Sequence, residues 1–303
     1  TLLILFILTI LFNASGSFAQ KLSMAEAKHA GDSIIPEAIL PFWQSLTLKE
    51  KVAQTLMVYM PSASYIKKHQ FGGVLIMKPH LKDTLHLKEE LSLANESLKI
   101  PLLTAIDQEG GQVNRLQAIS PEWKNLPSAK EMRTMTDDSV YNLAKQIGNA
   151  LHHYGINLNL APVLDPPKDS KGKPSFIEVS NRSFGEFETA VPKIRSFVKG
   201  MKESKVLSTS KHFPGYDSWT NSDHQIAFST SSKEIILRNV ELFKEFADEI
   251  PVVMLSSVRF VRLSNTPAVF NPKITAMARE ISPYTVLLTD DLWGVSLRAW
   301  ISG

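Results

Sequence analysis

The sequence predicts an α/β protein with a TIM-type (β/α)8 barrel that is incomplete at its C-terminal end. Short apolar runs alternate with longer helix-compatible segments along the 303 residues, a pattern typical of a parallel sheet with helical crossovers. Nearly every run ends in a polar cluster, such as "DQEGG", "KHFPG" or "TDD", which is expected when a barrel carries its site on the C-terminal face. No glycine-rich phosphate fingerprint follows the first strand, so an open dinucleotide-binding sheet lacks its main evidence.

Six apolar runs predict barrel strands, and "KVAQTLMVYM" (51–60) adds a seventh if it ends in the first one. The six runs span residues 72–77, 101–107, 156–165, 206–213, 251–257 and 284–290. Helices are predicted between them at residues 86–98, 137–155, 187–204 and 233–250. Thr47 and Glu50 have capping-box spacing, which predicts a helix start ahead of the first strand. The last run ends at residue 290, so we expect the final strand and helix to be missing through truncation or to lie in a continuation of the chain.

The strand predicted at 156–165 has a period of two, which separates its apolar from its polar side chains. The two sets are Ile156, Leu158 and Leu160 on one face, and Asn157, Asn159 and Asp165 on the other. We expect the polar set to face the barrel interior, where it would line a solvent-filled opening that receives a substrate.

Residues 1–19 contain no charge, a largely apolar run from Leu2 to Phe12, and small residues ending at Ala19. This pattern predicts a signal peptide and an exported protein, periplasmic or extracellular. The alternative, a membrane anchor, would need roughly 18 to 20 apolar residues, so no stable membrane insertion is expected. Residues 20–45 are interpreted as a lead-in segment, and residues 46–303 as the C-terminally incomplete barrel domain.

Composition narrows the class of partner. The chain has 33 basic and 30 acidic residues, a net charge of +3, and no basic stripe, which argues against nucleic acid and favours a small molecule or glycan. It contains no cysteine, so the fold depends on no disulfide and no cysteine is available for lipid attachment.

The predicted strand ends carry many charged groups and no serine nucleophile motif. The carboxylates are Asp107, Glu109, Asp165, Asp217, Asp223, Asp290 and Asp291, the cations are Arg115, Arg182 and Lys211, and the histidines are His212 and His224. Carboxylates beside cations indicate glycosidic chemistry or metal-assisted hydrolysis. No metal site is expected, because the chain has no HxH or HExxH motif and its two loop histidines are twelve positions apart.

Six segments in order resemble glycoside hydrolase family 3, specifically its β-N-acetylhexosaminidase branch. They are "DQEGGQVNR" (107–115), "APVLD" (161–165), "NRSFG" (181–185), "KHFPG" (211–215) followed by His224, "TPAVFNPKIT" (266–275) and "TDDLW" (289–293). The resemblance implies an exported retaining exo-β-N-acetylglucosaminidase that needs no cofactor. The implied substrate is terminal N-acetylglucosamine on peptidoglycan fragments, and the implied context is cell-wall turnover, with a fused C-terminal domain as a further partner.

The resemblance also implies individual roles. Asp290 matches the nucleophile that forms a covalent glycosyl-enzyme, and His224 matches the loop histidine that serves as acid and base. A helix cap is the alternative role for Asp290, although Thr289 or Asp291 suits it better. The positions that match sugar-binding residues are Asp107, Arg115, Arg182, Lys211 and His212. Lys211 and His212 are neighbours on a strand, so both reach the sugar only if the strand end twists or bulges.

Other residues of these segments are interpreted as structural. Glu109 and Asp165 are expected to support the site, and Gly110 and Gly111 to form a tight turn that lets the backbone approach a ligand.

The sequence departs from the family pattern at the loop. The family has an aspartate two residues before its histidine, whereas this chain has Ser222 there, so Asp223 or Asp217 is the candidate to supply that carboxylate. Ser257 stands where the family commonly has a histidine after the sixth strand. These changes leave open a second class of function, a catalytically weakened glycan-binding or sensing module on the same barrel.

Overall fold

A computed structural model describes residues 39–282 and 284–301, in which seven parallel strands form one curled sheet. The sheet contains β1 (Met57–Tyr59), β2 (Gly73–Ile76), β3 (Leu103–Ile106), β4 (Leu158–Asn159), β5 (Leu207–Phe213), β7 (Val252–Leu255) and β9 (Val286–Thr289). The strands lie side by side in chain order, and every pair is parallel. This confirms all seven predicted barrel strands; within the described residues β1 and β9 are the two edges.

Helices follow the strands as predicted. They are α1 (Leu40–Ser45), α2 (Leu48–Ala53), α3 (Ala63–His69), α4 (Thr84–Asn95), α5 (Ala129–Met132), α6 (Asp137–His153), α7 (Phe176–Val179), α8 (Phe187–Glu203), α9 (Lys233–Glu245), α10 (Pro272–Ile281) and α11 (Val295–Ile301). The capping box is confirmed: Glu50 N donates to Thr47 Oγ1 at 3.3 Å, and Thr47 N donates to Glu50 Oε2 at 2.7 Å.

Two apolar cores lie on opposite faces of the sheet. The inner core consists of strand residues and of Leu160, which directly follows β4. Its members are Leu103, Ala105, Leu158, Leu160, Leu207, Val252, Met254 and Val286. The outer core joins the other strand face to the helices, for example Ile106 of β3 with Ile147 of α6 and Phe197 of α8. Because both faces of the strands are covered, they read as apolar runs in the sequence.

The expected orientation of the strand at 156–165 was wrong. Leu158 and Leu160 face the interior, whereas Asn159 lies on the helix side, with its Nδ2 3.9 Å from Met201 Sδ of α8. The Asn159 amide accepts from Gln108 N at 3.0 Å and donates to Gln108 O at 2.9 Å. Asn157 bonds the backbone of β3 in the same manner, at Leu102 O and Thr104 N. Leu158, Asn159 and Leu160 alternate as predicted, but Ile156 belongs to the outer core, and the two amides bond the neighbouring backbone.

Several elements were not predicted, among them helices α3, α5, α7 and α11. A second sheet pairs β6 (Phe228–Ser229) with β8 (Arg259–Phe260) in parallel. Strands of two residues carry no readable periodicity, so the sequence gives no signal for them. Helix α10 begins at Pro272 with Asn271 as its N-cap, and that Asn-Pro pair is a start signal that could have been used.

The predicted signal peptide at 1–19 lies outside the described residues, as does the lead-in segment up to residue 38. The remainder of that segment forms α1, beside which Ile39, Leu46 and Ile100 form a small buried cluster. No helix within the described ranges is both long and apolar enough to cross a membrane.

Candidate active site

A cavity of about 820 Å³ opens at the carboxyl ends of the parallel strands. Its charged and polar lining includes Asp107, Glu109, Arg115, Arg182, Lys211, His212, Ser222, Asp223, Asp290 and Asp291. All five residues expected to bind the sugar lie in this lining together with Asp290. His224 does not line the cavity, and its side chain is exposed.

One side of the cavity is a cation–carboxylate cluster made of Asp107, Glu109, Arg182 and Lys211. Lys211 Nζ lies 2.8 Å from Asp107 Oδ1 and 2.6 Å from Glu109 Oε1. Arg182 donates to both oxygens of Glu109, from Nε and Nη2, each at 2.8 Å. Glu109 and Lys211 are 6% and 2% exposed, so their charges must be paired inside the protein.

Mutual attraction keeps this cluster ionised. Burial alone would raise the pKa of Glu109, but the charges of Arg182 and Lys211 outweigh it and hold the pKa below its usual range. The pKa of Lys211 is raised, because Asp107 and Glu109 outweigh the opposite effect of burial. Glu109 was expected to have only a supporting role. It orients both Arg182 and Lys211, and it also lines the cavity.

Arg115 stands further from the cluster. Its Nη2 lies 3.9 Å from Asp107 Oδ2, and its Nε is buried without a hydrogen-bond partner among the described residues. The position of Arg182 is set by the turn after α7, where Arg182 N donates to Ile177 O at 2.9 Å. The two arginines therefore approach the cavity from different loops, Arg115 after β3 and Arg182 after α7.

The end of β5 presents two neighbouring residues to the cavity, as the sequence required. Pairing of β5 with β7 shifts register between Lys211 and Phe213, and the Lys211–His212 peptide is cis. Both side chains line the cavity. Asp165 fixes the His212 ring, with Oδ2 2.6 Å from Nδ1, and its Oδ1 accepts from the backbone N of His212 and Tyr216 at 2.8 and 2.6 Å.

The glycine turn after β3 has a different purpose from the one expected. Gly110 and Gly111 have φ values of 91° and 52°, conformations that favour glycine. A Cβ on Gly110 would lie 2.1 Å from Pro127 O, and one on Gly111 would lie 2.7 Å from Ser128 Cβ. Neither glycine lines the cavity, so this turn lets the backbone approach the segment at 127–128 rather than a ligand.

Asp290 and Asp291 divide two tasks at the end of β9. Asp291 Oδ1 accepts from Trp293 N at 2.9 Å, and its Oδ2 accepts from Tyr59 Oη at 2.8 Å. Asp291 therefore closes the turn that follows β9, and helix α11 begins only at Val295. Asp290 accepts only from Asp291 N, at 2.8 Å on Oδ1, and within the described part of the chain its Oδ2 has no hydrogen-bond donor. Asp290 thus offers one carboxylate oxygen to the cavity from a position fixed by the strand.

The loop segment Ser222–His224 reaches another side of the cavity through Ser222 and Asp223, and it is held through its backbone. Ser222 N donates to Tyr216 Oη at 2.8 Å. Ser296 N donates to Ser222 O at 3.0 Å, and Val295 N donates to Asp223 O at 3.3 Å. Helix α11, which follows Asp290, therefore also anchors this segment.

Asp217 is not the partner of His224. Its Oδ2 accepts from Ser229 Oγ at 3.0 Å and from Ser231 Oγ, and the residue is buried beneath the loop. Burial raises the pKa of Asp217, although both serine hydroxyls act in the opposite direction. It joins the loop to the small β6–β8 sheet, a contact between distant residues that local sequence patterns do not reveal.

Asp223 is the remaining carboxylate of the loop. It is solvent-exposed and lines the cavity, where partial desolvation, followed by the negative charge of Asp290, raises its pKa. No hydrogen bond joins its carboxylate to any described residue. Ser257 does not line the cavity; its carbonyl oxygen accepts from Ser296 Oγ at 2.9 Å, and its own hydroxyl is buried without a partner in the described part of the molecule.

The arrangement suits acid–base and nucleophilic chemistry on a polar ligand. Among the described residues Asp290 Oδ2 accepts no hydrogen bond, and the pKa of Asp223, which lines the same cavity, is raised. Two carboxylates that differ in this way can act as nucleophile and acid. Across residues 39–282 and 284–301, no three histidine or acidic side chains are grouped to hold a metal ion.

Residues 47–282 match the sequence model of the glycosyl hydrolase family 3 N-terminal domain. The chain belongs to glycosyl hydrolase family 3. This confirms the family predicted from the six segments, and a family 3 structure with the same fold confirms the barrel class.

Relatives of this family 3 chain include two proteins named β-hexosaminidase. That of Actinobacillus pleuropneumoniae serotype 3 (strain JL03) is 28% identical over 208 residues, covering 65% of this chain and 58% of its own. That of Pseudomonas aeruginosa (strain LESB58) is 28% identical over 238 residues, covering 75% and 68%.

A solved structure gives a similar picture. The family 3 β-N-acetylglucosaminidase from Paenibacillus sp. str. FPU-7 superposes with a TM-score of 0.74 at 27% identity, covering 84% of this chain and 51% of that one. The chain thus spans little more than half the length of the Actinobacillus relative and about half that of the Paenibacillus protein.

Proposed function

We propose that this family 3 protein is an exported retaining exo-β-N-acetylglucosaminidase that releases terminal β-linked N-acetylglucosamine from peptidoglycan fragments. The observation that carries the proposal is the free Oδ2 of Asp290, which faces a cavity lined on one side by the cation–carboxylate cluster. The names of the Pseudomonas and Paenibacillus relatives support the choice of sugar. The apolar segment at 1–19 supports export.

In the proposed reaction Asp290 attacks the anomeric carbon and forms a glycosyl-aspartate, which water then hydrolyses with overall retention. A strand end suits a nucleophile, because β9 fixes the carboxylate, while Asp291 accepts the hydrogen bonds from Trp293 N and Tyr59 Oη.

The cation–carboxylate cluster and His212 bind the sugar in this proposal. Asp107 offers carboxylate oxygens to hydroxyl groups, while Lys211 and the arginines donate to sugar oxygens. Because Glu109 engages Arg182 at two nitrogens, the guanidinium is oriented before the sugar arrives and loses little freedom on binding.

Protonation of the leaving oxygen is assigned to the loop segment Ser222–His224. The family resemblance implies His224, whose ring would have to turn from solvent into the cavity. Ser222 contributes no carboxylate at the position the family uses for one.

A weakened glycan-binding module is the second candidate function. The exposed ring of His224, together with serine in place of the usual aspartate, favours it, since a binding module has no need of an aligned proton donor.

Release of the chromophore from an aryl N-acetyl-β-D-glucosaminide, compared with the matching aryl β-D-glucoside, tests the proposal. Turnover selective for the acetamido sugar is the expected result. Asp290→Ala should abolish that turnover and still bind N-acetylglucosamine. A folded wild type that binds the sugar but hydrolyses neither glycoside would favour the binding module, and an active Asp290→Ala variant would contradict the nucleophile assignment.

A further inference from the structure

We propose that the carboxyl group of Asp223 is the proton donor and acceptor of the reaction, with His224 behind it on the solvent side. This inference rests on the proposed function. It differs from the role that the resemblance implies, in which the imidazole lies in front and a carboxylate orients it.

The first argument is position. Asp223 lines the cavity that Asp290 also lines, whereas His224 does not. A Cβ placed on Gly294 would lie 3.5 Å from Asp223 Oδ1, so this oxygen lies against the turn that begins at Asp290. The reacting bond therefore has a carboxylate from β9 and a second carboxylate from the loop.

The second argument is how the residue is held. The backbone of the segment is bonded on both sides of Asp223, to Tyr216 through Ser222 N and to α11 through the carbonyls of Ser222 and Asp223. The carboxylate itself bonds no described residue. A fixed backbone with an unbonded side chain is what a proton-transfer group needs, because neighbouring donors do not compete for its oxygens.

The third argument is electrostatic. Burial is the first cause that raises the pKa of Asp223, and the charge of Asp290 is the second. The charges of Arg182, His212 and His224 act in the opposite direction but do not reverse the shift. A carboxyl group with a raised pKa, in a cavity that a second carboxylate also lines, matches the acid–nucleophile pair of retaining glycosidases.

The position of the carboxylate in the loop gives a physical reason why Asp223, and not His224, transfers the proton. The family pattern described above places the carboxylate two positions before the histidine, where this chain has the buried Ser222. Here the carboxylate is one position later. Asp223 and His224 are both exposed, but of the two only Asp223 lines the cavity. The charge of His224 then tunes Asp223 from outside.

The chemistry balances with these two carboxyl groups. Asp290 Oδ2 forms a bond to C1, the C1–oxygen bond breaks towards the leaving group, and that oxygen takes the proton from Asp223. In the second step water attacks C1, its proton goes to the Asp223 carboxylate, and the bond between C1 and Asp290 breaks. Both residues return to their starting states.

The matched variants Asp223→Asn and His224→Gln test the assignment. For each we would measure kcat/KM on a β-linked N-acetylglucosamine disaccharide, whose leaving group needs a proton, and on an activated aryl glycoside, whose leaving group does not. Asp223→Asn should lower the rate on the disaccharide by about 10²- to 10⁴-fold and the rate on the aryl glycoside much less. Added azide should raise kcat of this variant on the aryl glycoside and give the β-glycosyl azide, because azide attacks C1 of the glycosyl-enzyme in place of water and needs no general base.

His224→Gln should cost less than about tenfold on either substrate, since its charge only tunes a neighbour, and azide should have no effect. The reverse pattern, with azide rescue in His224→Gln, would overturn the assignment while leaving the proposed function intact. A wild type inactive on both glycosides would remove the proposed function and this inference with it.

A measurement on the wild type guards against variants that do not fold. The alkaline limb of the kcat/KM profile should have a midpoint that hardly changes with temperature, as for a carboxyl group. A midpoint that falls clearly on warming would identify an imidazole and contradict the proposal.

Discussion

The two sides of the cavity are built in opposite ways. The cation–carboxylate cluster is buried, and Glu109 and Lys211 are paired at 2.6 Å. The loop segment Ser222–His224 is held by backbone hydrogen bonds, and its carboxylate, Asp223, is free of them. The pKa of Glu109 is lowered by neighbouring cations, whereas that of Asp223 is raised by burial and Asp290. In the proposed reaction one side binds the sugar and the other transfers the proton.

The largest expected effect on stability comes from removing Lys211 from the cation–carboxylate cluster. Lys211→Met would leave Asp107 without its close cation and Glu109 with Arg182 alone. We expect the free energy of unfolding to fall by about 3–5 kcal/mol, the usual cost of removing one partner of a buried ion pair. Chemical denaturation measures this, and N-acetylglucosamine binding should weaken in parallel.

Lys145→Met is the matched control for that variant. Lys145 pairs with Glu203 at 2.9 Å, but this pair is exposed, so its loss should leave stability almost unchanged. Equal losses from the two variants would show that the cluster is no more than a surface ion pair.

The backbone anchor of the loop can be tested at Tyr216. Its hydroxyl donates to Thr220 O at 2.5 Å and accepts from Ser222 N at 2.8 Å. Tyr216→Phe removes both bonds, so we expect about 1–2 kcal/mol less stability and a kcat/KM lower by up to about tenfold. Tyr65→Phe, at an exposed ring on α3, is the control and should change neither quantity. Unchanged activity in Tyr216→Phe would mean that the anchor does not place Asp223.

The smallest effect is expected at Asp217. Its raised folded pKa means that its ionised form opposes folding, so its contribution becomes less favourable as the pH rises from the unfolded pKa near 3.9 through the folded value. Asp217→Asn should therefore be more stable than the wild type at pH 7, by up to about 1 kcal/mol, and the gain should shrink towards pH 4. Denaturation at several pH values measures this, and a gain that grows on acidification would contradict the sign.

The side of the cavity formed by the cation–carboxylate cluster was largely predictable. Buried strands appear in the sequence as apolar runs, and parallel strands bring their carboxyl ends together. That logic places Asp107, Lys211 and Asp290 correctly. It could not show that Glu109 pairs with both cations, because Arg182 and Lys211 lie 73 and 102 positions further along the chain.

The loop side was less predictable. Its conformation depends on contacts with α11, on Tyr216, and on the β6–β8 sheet, none of which has a local pattern in the sequence. The sequence shows that Ser222, Asp223 and His224 follow one another. Whether Asp223 or His224 lines the cavity depends on three-dimensional packing. For the same reason, the face assigned to Asn157 and Asn159 was wrong although their alternation was right.

The central claim, that Asp290 forms a covalent bond to the sugar, can be tested by trapping that intermediate. The protein would be incubated with a fluorinated N-acetylglucosaminyl donor carrying an activated leaving group, digested, and mapped by mass spectrometry. The account predicts that the peptide containing Asp290 gains the mass of one glycosyl group, and that Asp290→Ala does not. A label on any other peptide, or unlabelled protein that nevertheless turns the donor over, would contradict it.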